Sequence, residues 1–435
     1  MKHLTQKGRT ILAIVLLTVF VLCCLYVLLI PGPTDGLAYK FDADEEGNGY
    51  TILTGLENKD LTKVVIAYRV RKRAVTHIAD GAFKDCENIT SIKIPASVTT
   101  IGKEAFYGCK SLKSITIPAS VTTIGENAFA NCPALERITV SGQNQNYKSI
   151  DGDLYTKDGT TLIKHTAKKV QDSFKIPSGV TTVCTTAFDV SPKSVTVPAS
   201  VTTLSTAFAG LTTLENIIFE KGATIDTIEM YAFQHCTGLK SIEIPASVTY
   251  IDRNAFRNCE SLQSVTFEQG SKLVGIDAYA FFDCTSLKEI TIPASVKEIR
   301  DRAFDGCANL QTVAFEENSL LEKIGRHAFF DCTSLASFDV PSGTIEIGAG
   351  AFKNCTSLET VFIPNSVERI YEYAFEGCTN LKSATVEHIV WRVTSQGTSG
   401  IDAHVSFGSN PDTAKVLAAQ WLTVDRVDCL WRKIS

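Results

Sequence analysis

An Ala-Phe pair recurs twelve times along this chain at nearly constant intervals, and no other sequence feature constrains the fold as strongly. The repeated Phe residues are Phe83, Phe106, Phe129, Phe188, Phe208, Phe233, Phe256, Phe281, Phe304, Phe329, Phe352 and Phe375. Most consecutive pairs are separated by 23 or 25 residues. A fixed period of roughly 20 to 50 residues is typical of solenoids, in which each repeat packs only against its neighbours. The sequence therefore predicts a repeat solenoid without a built-in catalytic cleft, so binding is the expected activity.

The unit from Leu112 to Leu135 shows what one repeat contains. Ile115 and Ile117 alternate with polar residues, which is the period of a short half-buried strand, and Pro118 ends that strand because it cannot donate a backbone hydrogen bond. A second apolar segment and the Ala-Phe pair follow, where Ala, Cys and Leu at i, i+4 and i+7 predict a short helical or 3-10 turn. Stacking such units predicts an arc of short parallel β-strands joined by these turns.

The string L-x-x-I-x-I-P-x-S-V-x-x-I-x-x-x-A-F-x-x-C occupies residues 112–132, 239–259 and 287–307. It resembles the BspA-type leucine-rich repeat, and the resemblance covers residues 75–386. It implies a cell-surface leucine-rich repeat protein, outside the cell, that mediates protein binding or adhesion. The partner implied is an extracellular protein or another host-cell or matrix ligand.

One insertion interrupts the repeats, because Phe129 and Phe188 are 59 residues apart. The extra residues, about 141–175, contain the pairs Asp151-Gly152 and Asp158-Gly159 between apolar segments. An Asp-Gly pair in that setting is a hairpin signal. We therefore expect a hairpin insert that decorates the solenoid rather than a separate domain.

The N-terminus contains a candidate membrane segment. Residues 11–30 carry no charge, and as a helix they would be about 30 Å long, the thickness of a bilayer core. Lys2, Lys7 and Arg9 precede them, which predicts a short cytoplasmic tail at 1–10 and a single-pass transmembrane helix that leaves the repeats outside the cell. An uncleaved signal or a cleaved signal peptide is the alternative, although no small-residue cleavage site follows the segment.

Two caps are expected at the ends of the repeats. Residues 31–74 are predicted to form a linker and an N-terminal β cap, in which the basic cluster from Arg69 to Arg73 is expected to be an exposed strand. Residues 387–435 are predicted to form a C-terminal cap with a helix that starts at Asn410-Pro411, since Asn caps helices and Pro suits their first position.

Charge and motif content restrict the function. The net charge is −5, which argues against nucleic acid as a partner. The sequence contains no P-loop, H-E-x-x-H or G-x-S-x-G motif, so we expect neither an enzyme nor a cofactor. Ten of the fourteen Cys residues lie three positions after a repeated Phe. This spacing predicts a ladder of buried free thiols, because residues in a line neither converge on a metal nor favour disulfide geometry.

The outward positions of the L-x-x-I-x-I strands are the candidate partner-binding residues. They are Thr116, Thr139, Glu243, Thr266, Thr291, Asp339 and Phe362. Ile218, Lys93 and Thr385 occupy equivalent positions. The main hypothesis is a recognition surface on these strands. The alternatives are a structural surface spacer without a specific ligand and the ligand-binding subunit of a receptor.

Overall fold

The computed structural model describes residues 33–43, 49–166 and 172–386, together with the backbone of three strands at 390–395, 403–406 and 429–433. These residues form two compact units, which divide between Asn146 and Tyr147. Within the described ranges the chain consists of strands and turns, without a helix. The candidate membrane segment at 11–30 and the helix expected after Asn410 lie outside the described residues. In the described part of the chain, no helix is long and apolar enough to cross a bilayer.

Unit 1 contains ten strands. They are β1 (Leu37–Ala43), β2 (Gly49–Leu56), β3 (Lys63–Val65), β4 (Arg69–Val70), β5 (Arg73–Ile78), β6 (Ser91–Lys93), β7 (Thr100–Ile101), β8 (Ser114–Ile117), β9 (Thr123–Ile124) and β10 (Arg137–Val140). A typical repeat contributes one first-row strand before its turn, such as β8, and one shorter second-row strand after it, such as β9. The first-row strands form a parallel sheet in the order β10-β8-β6-β3, and the second-row sheet has the order β1-β2-β5-β7-β9.

The N-terminal end of unit 1 is a β cap. Strands β1 and β2 form an antiparallel hairpin, and β2 pairs in parallel with β5. The basic cluster, expected to be one exposed strand, instead forms a tight hairpin in which β4 pairs antiparallel with β5. Arg71 and Lys72 form its turn with φ values of 50° and 70°. Two consecutive residues with positive φ are typical of the two-residue hairpin turn, which cannot continue a strand.

Unit 2 contains the other strands. They are β11 (Tyr147–Ile150), β12 (Asp153–Thr156), β13 (Thr161–Lys164), β14 (Ser173–Lys175), β15 (Thr182–Val183), β16 (Ser194–Val197), β17 (Asn216–Phe219), β18 (Thr227–Ile228), β19 (Ser241–Ile244), β20 (Tyr250–Ile251), β21 (Ser264–Phe267), β22 (Gly275–Ile276), β23 (Glu289–Ile292), β24 (Glu298–Ile299), β25 (Thr312–Phe315), β26 (Lys323–Ile324), β27 (Ser337–Asp339), β28 (Glu346–Ile347), β29 (Thr360–Ile363), β30 (Arg369–Ile370), β31 (Ser383–Val386), β32 (Val390–Ser395), β33 (Ala403–Ser406) and β34 (Cys429–Lys433).

Unit 2 is a parallel-strand β-solenoid, as the repeat period predicts. Its first-row strands form one sheet in the order β14-β16-β17-β19-β21-β23-β25 and a second in the order β27-β29-β31. The second-row strands run from β18 to β30 in one sheet, which β34, β32 and β33 extend. Strand β34 pairs antiparallel with β30, opposing Trp431 to Ile370. The C-terminal segment thus covers the edge of this sheet, which would otherwise present unpaired backbone groups.

Both Asp-Gly pairs of the insertion lie in hairpin turns. Strand β11 pairs antiparallel with β12 across Asp151 and Gly152, whose φ values are 53° and 99°. Strand β12 pairs antiparallel with β13 across the turn that contains Gly159, with φ 87°. Strand β13 then pairs in parallel with β15, which joins the hairpins to the repeats of unit 2.

The repeated Phe side chains form the centre of each core. In unit 1 the rings of Phe83, Phe106 and Phe129 stack in sequence, and in unit 2 the stack runs from Phe188 to Phe375. Neighbouring centroids are 5.0 to 5.5 Å apart in both units. This distance equals about one strand spacing, so each strand pair brings its two rings into contact.

The segment around each Ala-Phe pair corrects the expected helical or 3-10 turn. In the Phe129 repeat, the residues two positions before and after the Phe, Asn127 and Asn131, have φ values of 57° and 56°. A right-handed helix cannot pass through residues with positive φ, so the chain forms linked turns. The freed N–H groups bond to the next repeat, as when Phe106 N–H donates to the Ala128 carbonyl at 2.8 Å.

The Cys ladder has a hydrogen-bonding role inside the core. Nine thiols each donate to the carbonyl of the Phe in the preceding repeat, at 2.9 to 3.2 Å. Cys307 bonding to Phe281 is representative, and both residues are fully buried. Burial raises the pKa of Cys284 and Cys307 well above the ordinary value of a thiol. The described repeat cysteines form no disulfide bond and act as small apolar residues with one donor.

Candidate binding surface on the first-row strands

The first-row strands alternate between buried and exposed side chains, which gives each unit one outward first-row face. In β19, the exposed Glu243 lies between Ile242 and Ile244, which are both buried. The same alternation in β21 and β23 exposes Thr266 and Thr291. Period-two alternation in stacked strands therefore places one outward residue per repeat on this face.

Parallel pairing brings several predicted site residues into direct register. In unit 1, Thr116 and Thr139 are paired across β8 and β10, and both are exposed. In unit 2, Glu243 is paired with Thr266 across β19 and β21. The first-row face in each unit therefore presents its outward side chains as ladders rather than as scattered positions.

The C-terminal part of the first-row face is less regular. Asp339 is exposed and pairs with Phe362 across β27 and β29, in a sheet separate from that of β25. Phe362 was expected to be an exposed outward residue, but the structure has it half-buried. The large apolar residue that is exposed at an equivalent position is Ile218, with 52% of its surface accessible.

Ile218 lies in a shallow cavity of about 460 Å³ on β17 and β19. Phe219 and Pro245 supply other apolar walls, and Glu243 and Lys221 lie at its polar margin. Sequence reasoning singled out Ile218 and Glu243 separately and did not find this cavity. Register joins them, because Ile218 follows Ile217, which pairs with Ile242 next to Glu243.

Two kinds of turn follow the first-row strands, and each bonds to the preceding repeat in its own way. In the 23-residue units, a Ser hydroxyl donates to a carbonyl of the preceding repeat, as Ser247 does to Ile225 at 2.6 Å. In the 25-residue units a Glu carboxylate does the joining, as when Glu268 accepts from the N–H of Ala246 at 3.0 Å. The Phe before that Glu, such as Phe267, stays partly exposed instead of entering the core.

The sequence shows that the longer turns are acidic, but the capping role of their glutamates was not predicted, although their spacing is regular. Glu220, Glu268 and Glu316 each follow a strand-ending Phe and precede by two positions a residue with positive φ. That residue is Gly222, Gly270 or Asn318, with φ between 59° and 80°. The string F-E-x-G/N thus predicts a turn whose Glu carboxylate accepts a hydrogen bond from the turn of the preceding repeat.

Ion pairs lie along the edge of the face where the first-row strands begin. Lys240 bonds Glu215 at 2.6 Å, and Lys382 bonds Glu359 at 2.9 Å. At the other edge Lys175 bonds Glu220 at 2.7 Å. The hydrogen bonds from Lys240 and Lys175 lower the pKa of Glu215 and Glu220. These exposed pairs lie at the margins of the face, while Glu243 carries a negative charge at its centre, in register with Thr266.

Among the described residues of unit 2, the insertion holds a His and an Asp side chain at hydrogen-bond distance. His165 Nδ1 lies 2.8 Å from Asp153 Oδ2, and Asp153 Oδ1 accepts from the N–H of Thr166 at 2.8 Å. The imidazole packs on Phe174 and Phe188, with centroid distances of 3.9 and 5.2 Å. These contacts tie β12 to β13 and favour a structural role for the pair. Among the described residues, no group of His, Cys, Asp or Glu side chains is arranged to hold a metal ion.

Comparison with known proteins agrees with this architecture. Residues 61–162, 166–275 and 274–396 match the family described as BspA type leucine rich repeat region, in six copies. A leucine-rich repeat protein from Bacteroides ovatus is 27% identical, with 82% of this chain and 94% of that chain covered and a TM-score of 0.48. A leucine rich cell surface protein from Faecalibacterium prausnitzii is also 27% identical, with 82% and 95% covered and a TM-score of 0.46. No curated protein matches the chain significantly.

The matched stretches include the repeats of both units and extend over well more than half of the chain. Their repeated elements are the ones that the structure uses: the first-row strand, the Ser turn, the Ala-Phe pair and the Cys donor. The chain therefore belongs to the BspA-type leucine-rich repeat family.

Proposed function

We propose that this chain is a cell-surface protein that binds an extracellular protein of a host cell or matrix through its first-row face in unit 2. The observation that carries the proposal is the exposed Ile218 in its cavity, on the same face as the outward Thr266 and Thr291. Thr hydroxyls both donate and accept hydrogen bonds, and an exposed aliphatic side chain supplies an apolar anchor. Family membership supports binding as the general role.

The rigidity of the face favours binding to a folded partner. Each outward side chain stands on a strand whose neighbours, such as Ile290 and Ile292 around Thr291, are buried in the core. A surface held in this way loses little conformational entropy when a partner docks. The proposed contact residues are Thr116 and Thr139 in unit 1, and Ile218, Glu243, Thr266, Thr291, Asp339 and Phe362 in unit 2.

We also propose that residues 11–30 anchor the protein in the membrane, with 1–10 on the cytoplasmic side and the repeats outside. The uncharged length of the segment and the basic residues before it support this arrangement. In this proposal residues 31–74 connect and cap the first repeat, and residues 387–435 cap the last. Protease treatment of intact cells tests it, because an anchored chain should lose its repeats to the medium.

The decisive experiment measures saturable binding of the full-length chain, in detergent micelles, to matrix proteins and to intact host cells. Thr266→Glu/Thr291→Glu places two charges at the centre of the face, and we expect the affinity to fall at least about tenfold. Ile218→Asp should have a similar effect. Thr202→Glu/Thr249→Glu is the matched control, since these threonines follow the Ser turns and lie outside the first-row strands.

The spacer alternative and binding through another surface give different results in the same experiment. A spacer would show no saturable partner in the panel. A partner whose binding is equally weakened by the control variant would place the contact outside the first-row face. Circular dichroism of each variant shows that a lost affinity is not a lost fold.

A further inference from the structure

A second cavity, of about 570 Å³, lies in unit 2 between the second-row strands and the Ala-Phe turns of four consecutive repeats. One position in each repeat, three residues before the Phe, contributes Arg253, Ala278, Asp301 and Arg326 in turn. Ala278 is small and 93% buried, so the row has a gap between the long side chains of Arg253 and Asp301. We call this cavity the arginine cleft.

Positive charge exceeds negative charge in the arginine cleft, although the chain as a whole carries −5. Its five cationic side chains are Arg253, Arg300, Arg302, Lys323 and Arg326, and its three carboxylates are Asp277, Glu298 and Asp301. A local excess of this kind, in a protein of the opposite net charge, attracts anionic groups to one place on the surface.

The carboxylates of the cleft already have partners within the repeats. Arg300 bonds both Asp277, at 3.2 Å, and Glu298, at 3.0 Å. Asp301 Oδ1 accepts from the backbone N–H of Arg326 at 2.9 Å. The other two central cations, Arg302 and Lys323, are paired with Asp305 and Glu346. The centre of the cleft therefore offers a ligand no cation that lacks a carboxylate partner.

The two ends of the cleft carry arginines that form no ion pair with a carboxylate among the described residues. Arg253 and Arg326 are both exposed, and neither guanidinium makes an ion pair with a carboxylate among the described residues. Guanidinium groups bind carboxylates in a planar, bidentate manner. The available charge pattern is thus positive at each end, with an internally paired centre.

His327 provides a second, independent sign of positive potential. Its buried Nδ1 has no hydrogen-bond partner among the described residues. Burial and the neighbouring charges of Arg302, Arg326 and Lys353 lower the pKa of His327 to about 4, against a smaller opposite effect of Asp301. Three cations around one neutral imidazole mean that an anion placed near Arg326 would be stabilised.

We propose that the arginine cleft binds an acidic segment of a partner protein in extended conformation, with one carboxylate on Arg253 and another on Arg326. The two arginines are three repeats apart, and successive repeats are separated by 5.0 to 5.2 Å at their Phe rings. Their rows are therefore roughly 15 Å apart, which is close to the separation of residues i and i+4 in an extended chain, at about 3.4 Å per residue. This site is separate from the first-row face and does not depend on it.

The middle of the cleft favours a peptide over a uniformly charged polyanion. A sulfated or phosphorylated polymer carries its charges at close intervals, and some of them would lie against Asp277, Glu298 and Asp301. An acidic peptide can place neutral residues there, which avoids the repulsion between like charges.

The test uses a fluorescein-labelled peptide with two Glu residues four positions apart, separated and flanked by Ser and Gly, and fluorescence anisotropy with the full-length chain. A peptide with both Glu replaced by Gln is the ligand control. Arg253→Gln/Arg326→Gln should weaken binding of the Glu peptide at least about tenfold. Lys272→Gln/Lys288→Gln removes the same charge from exposed positions outside the cleft, and should change the affinity less than about twofold.

His327 gives a readout that a merely structural effect would not produce. Bound carboxylate offsets the positive charge of Arg326, so the Glu peptide should raise the pKa of His327 from about 4, measured by NMR titration of its imidazole and assigned with His327→Gln. The Gln peptide should leave the titration unchanged.

Three results would overturn the proposal. One is no saturation by the Glu peptide up to about 5 mM, a concentration that detects even weak complexes. Another is binding that the double Arg variant and the double Lys variant weaken equally. The third is tighter binding of heparin than of the Glu peptide at the same arginines, which would identify a sulfated polymer as the ligand. Thr266→Glu/Thr291→Glu should not change the affinity for the Glu peptide. A negative result at the arginine cleft is therefore distinguishable from a negative result for the first-row face.

Discussion

The regular part of unit 2, from Phe233 to Phe375, and its irregular beginning, from Tyr147 to Leu214, are built on different kinds of buried contact. In the regular part, neighbouring Phe rings are within 1° to 11° of parallel, and a Cys thiol bonds across each step. In the irregular part, the ring planes of Phe188 and Phe208 differ by 29°, and no repeat Cys accompanies them.

The irregular part instead buries an ion pair. Lys164 Nζ lies 2.7 Å from Asp189, and their side chains are only 3% and 11% exposed. Lys164 also donates to the Thr186 carbonyl at 3.0 Å. Identical layers repeat one thiol hydrogen bond at every step, whereas a layer changed by insertion leaves space that other, specific hydrogen bonds must fill. The comparison predicts that the two parts respond differently to substitution.

Deleting a ring from the regular stack should have the largest effect. The Phe304 ring lies between Phe281 and Phe329, at centroid distances of 5.1 and 5.2 Å. Phe304→Ala should lower the free energy of unfolding by about 3 to 5 kcal/mol, because a cavity opens with two rings on its walls. Urea denaturation followed by circular dichroism measures the loss. Phe188→Ala, at the tilted and slightly exposed end of the stack, should cost clearly less, and an equal cost would contradict the comparison.

Removing one partner of the buried ion pair should be the next largest effect. Lys164→Met leaves the nearly buried Asp189 without its ammonium partner and should cost about 3 kcal/mol. Lys164→Met/Asp189→Leu should recover most of that loss, since neither charge then remains buried. Lys382→Met breaks the exposed pair with Glu359 and should cost less than about 1 kcal/mol. If the double variant is no more stable than the single one, the pair is not the reason for the loss.

A single Cys of the thiol ladder should contribute less to the free energy of unfolding than either a stacked Phe ring or the buried ion pair. Cys307→Ala removes a buried sulfur and its hydrogen bond to Phe281, but the Phe281 carbonyl still accepts from the N–H of Cys284 at 3.2 Å. We therefore expect a loss of about 1 to 2 kcal/mol in the same urea experiment. Because burial raises the pKa of Cys307 well above its usual range, the native thiol should also resist iodoacetamide at pH 8. Rapid alkylation without unfolding would show that the ladder is open to solvent.

The sequence predicts the periodic features of both units. It does not predict the conformation of the turn around each Phe or the cavities on the surface. Parallel strands and a ladder of buried thiols follow from one period, and the structure confirms them. The stacking of the Phe rings was not predicted. The turn around the Phe was predicted wrongly, although its signal is present: Asn, Asp or Gly commonly occupies the second position after the Phe, as Asn131 and Gly306 do. Those residue types tolerate the left-handed conformation.

The arginine cleft and the Ile218 cavity could not be predicted from local motifs. Arg253 and Arg326 are 73 positions apart in sequence, and only the register of four repeats brings them to one cleft. Ile218 was noticed as an outward apolar residue, but its cavity also depends on Pro245 in the next repeat. A repeat sequence thus specifies its interior position by position, while its surface sites depend on combinations across repeats.

Asp305 is a nearly buried carboxylate within the regular part. Its substitution should have the smallest effect on stability, and this effect should depend on pH. Its side chain is 6% exposed and bonds Arg302 at 2.6 Å, while burial, opposed by Arg302, raises its pKa to about 6. The folded protein therefore binds this proton more tightly than the unfolded chain, so the contribution of Asp305 to stability decreases as pH rises from about 4 to 6 and is constant above that.

Asp305→Asn removes this titration and keeps an oxygen that accepts from Arg302. Relative to the variant, the wild-type protein should lose stability as pH rises from 4 to 7, by an amount within about 1 kcal/mol because half-exposed Arg302 is screened by solvent. Urea midpoints of both proteins at several pH values measure the difference. The opposite result is a wild-type protein that gains stability relative to the variant as pH rises. It would mean that the ion pair with Arg302 stabilises the charged carboxylate of Asp305 by more than burial destabilises it. A buried carboxylate in the regular stack would then behave like the paired charges of the irregular part.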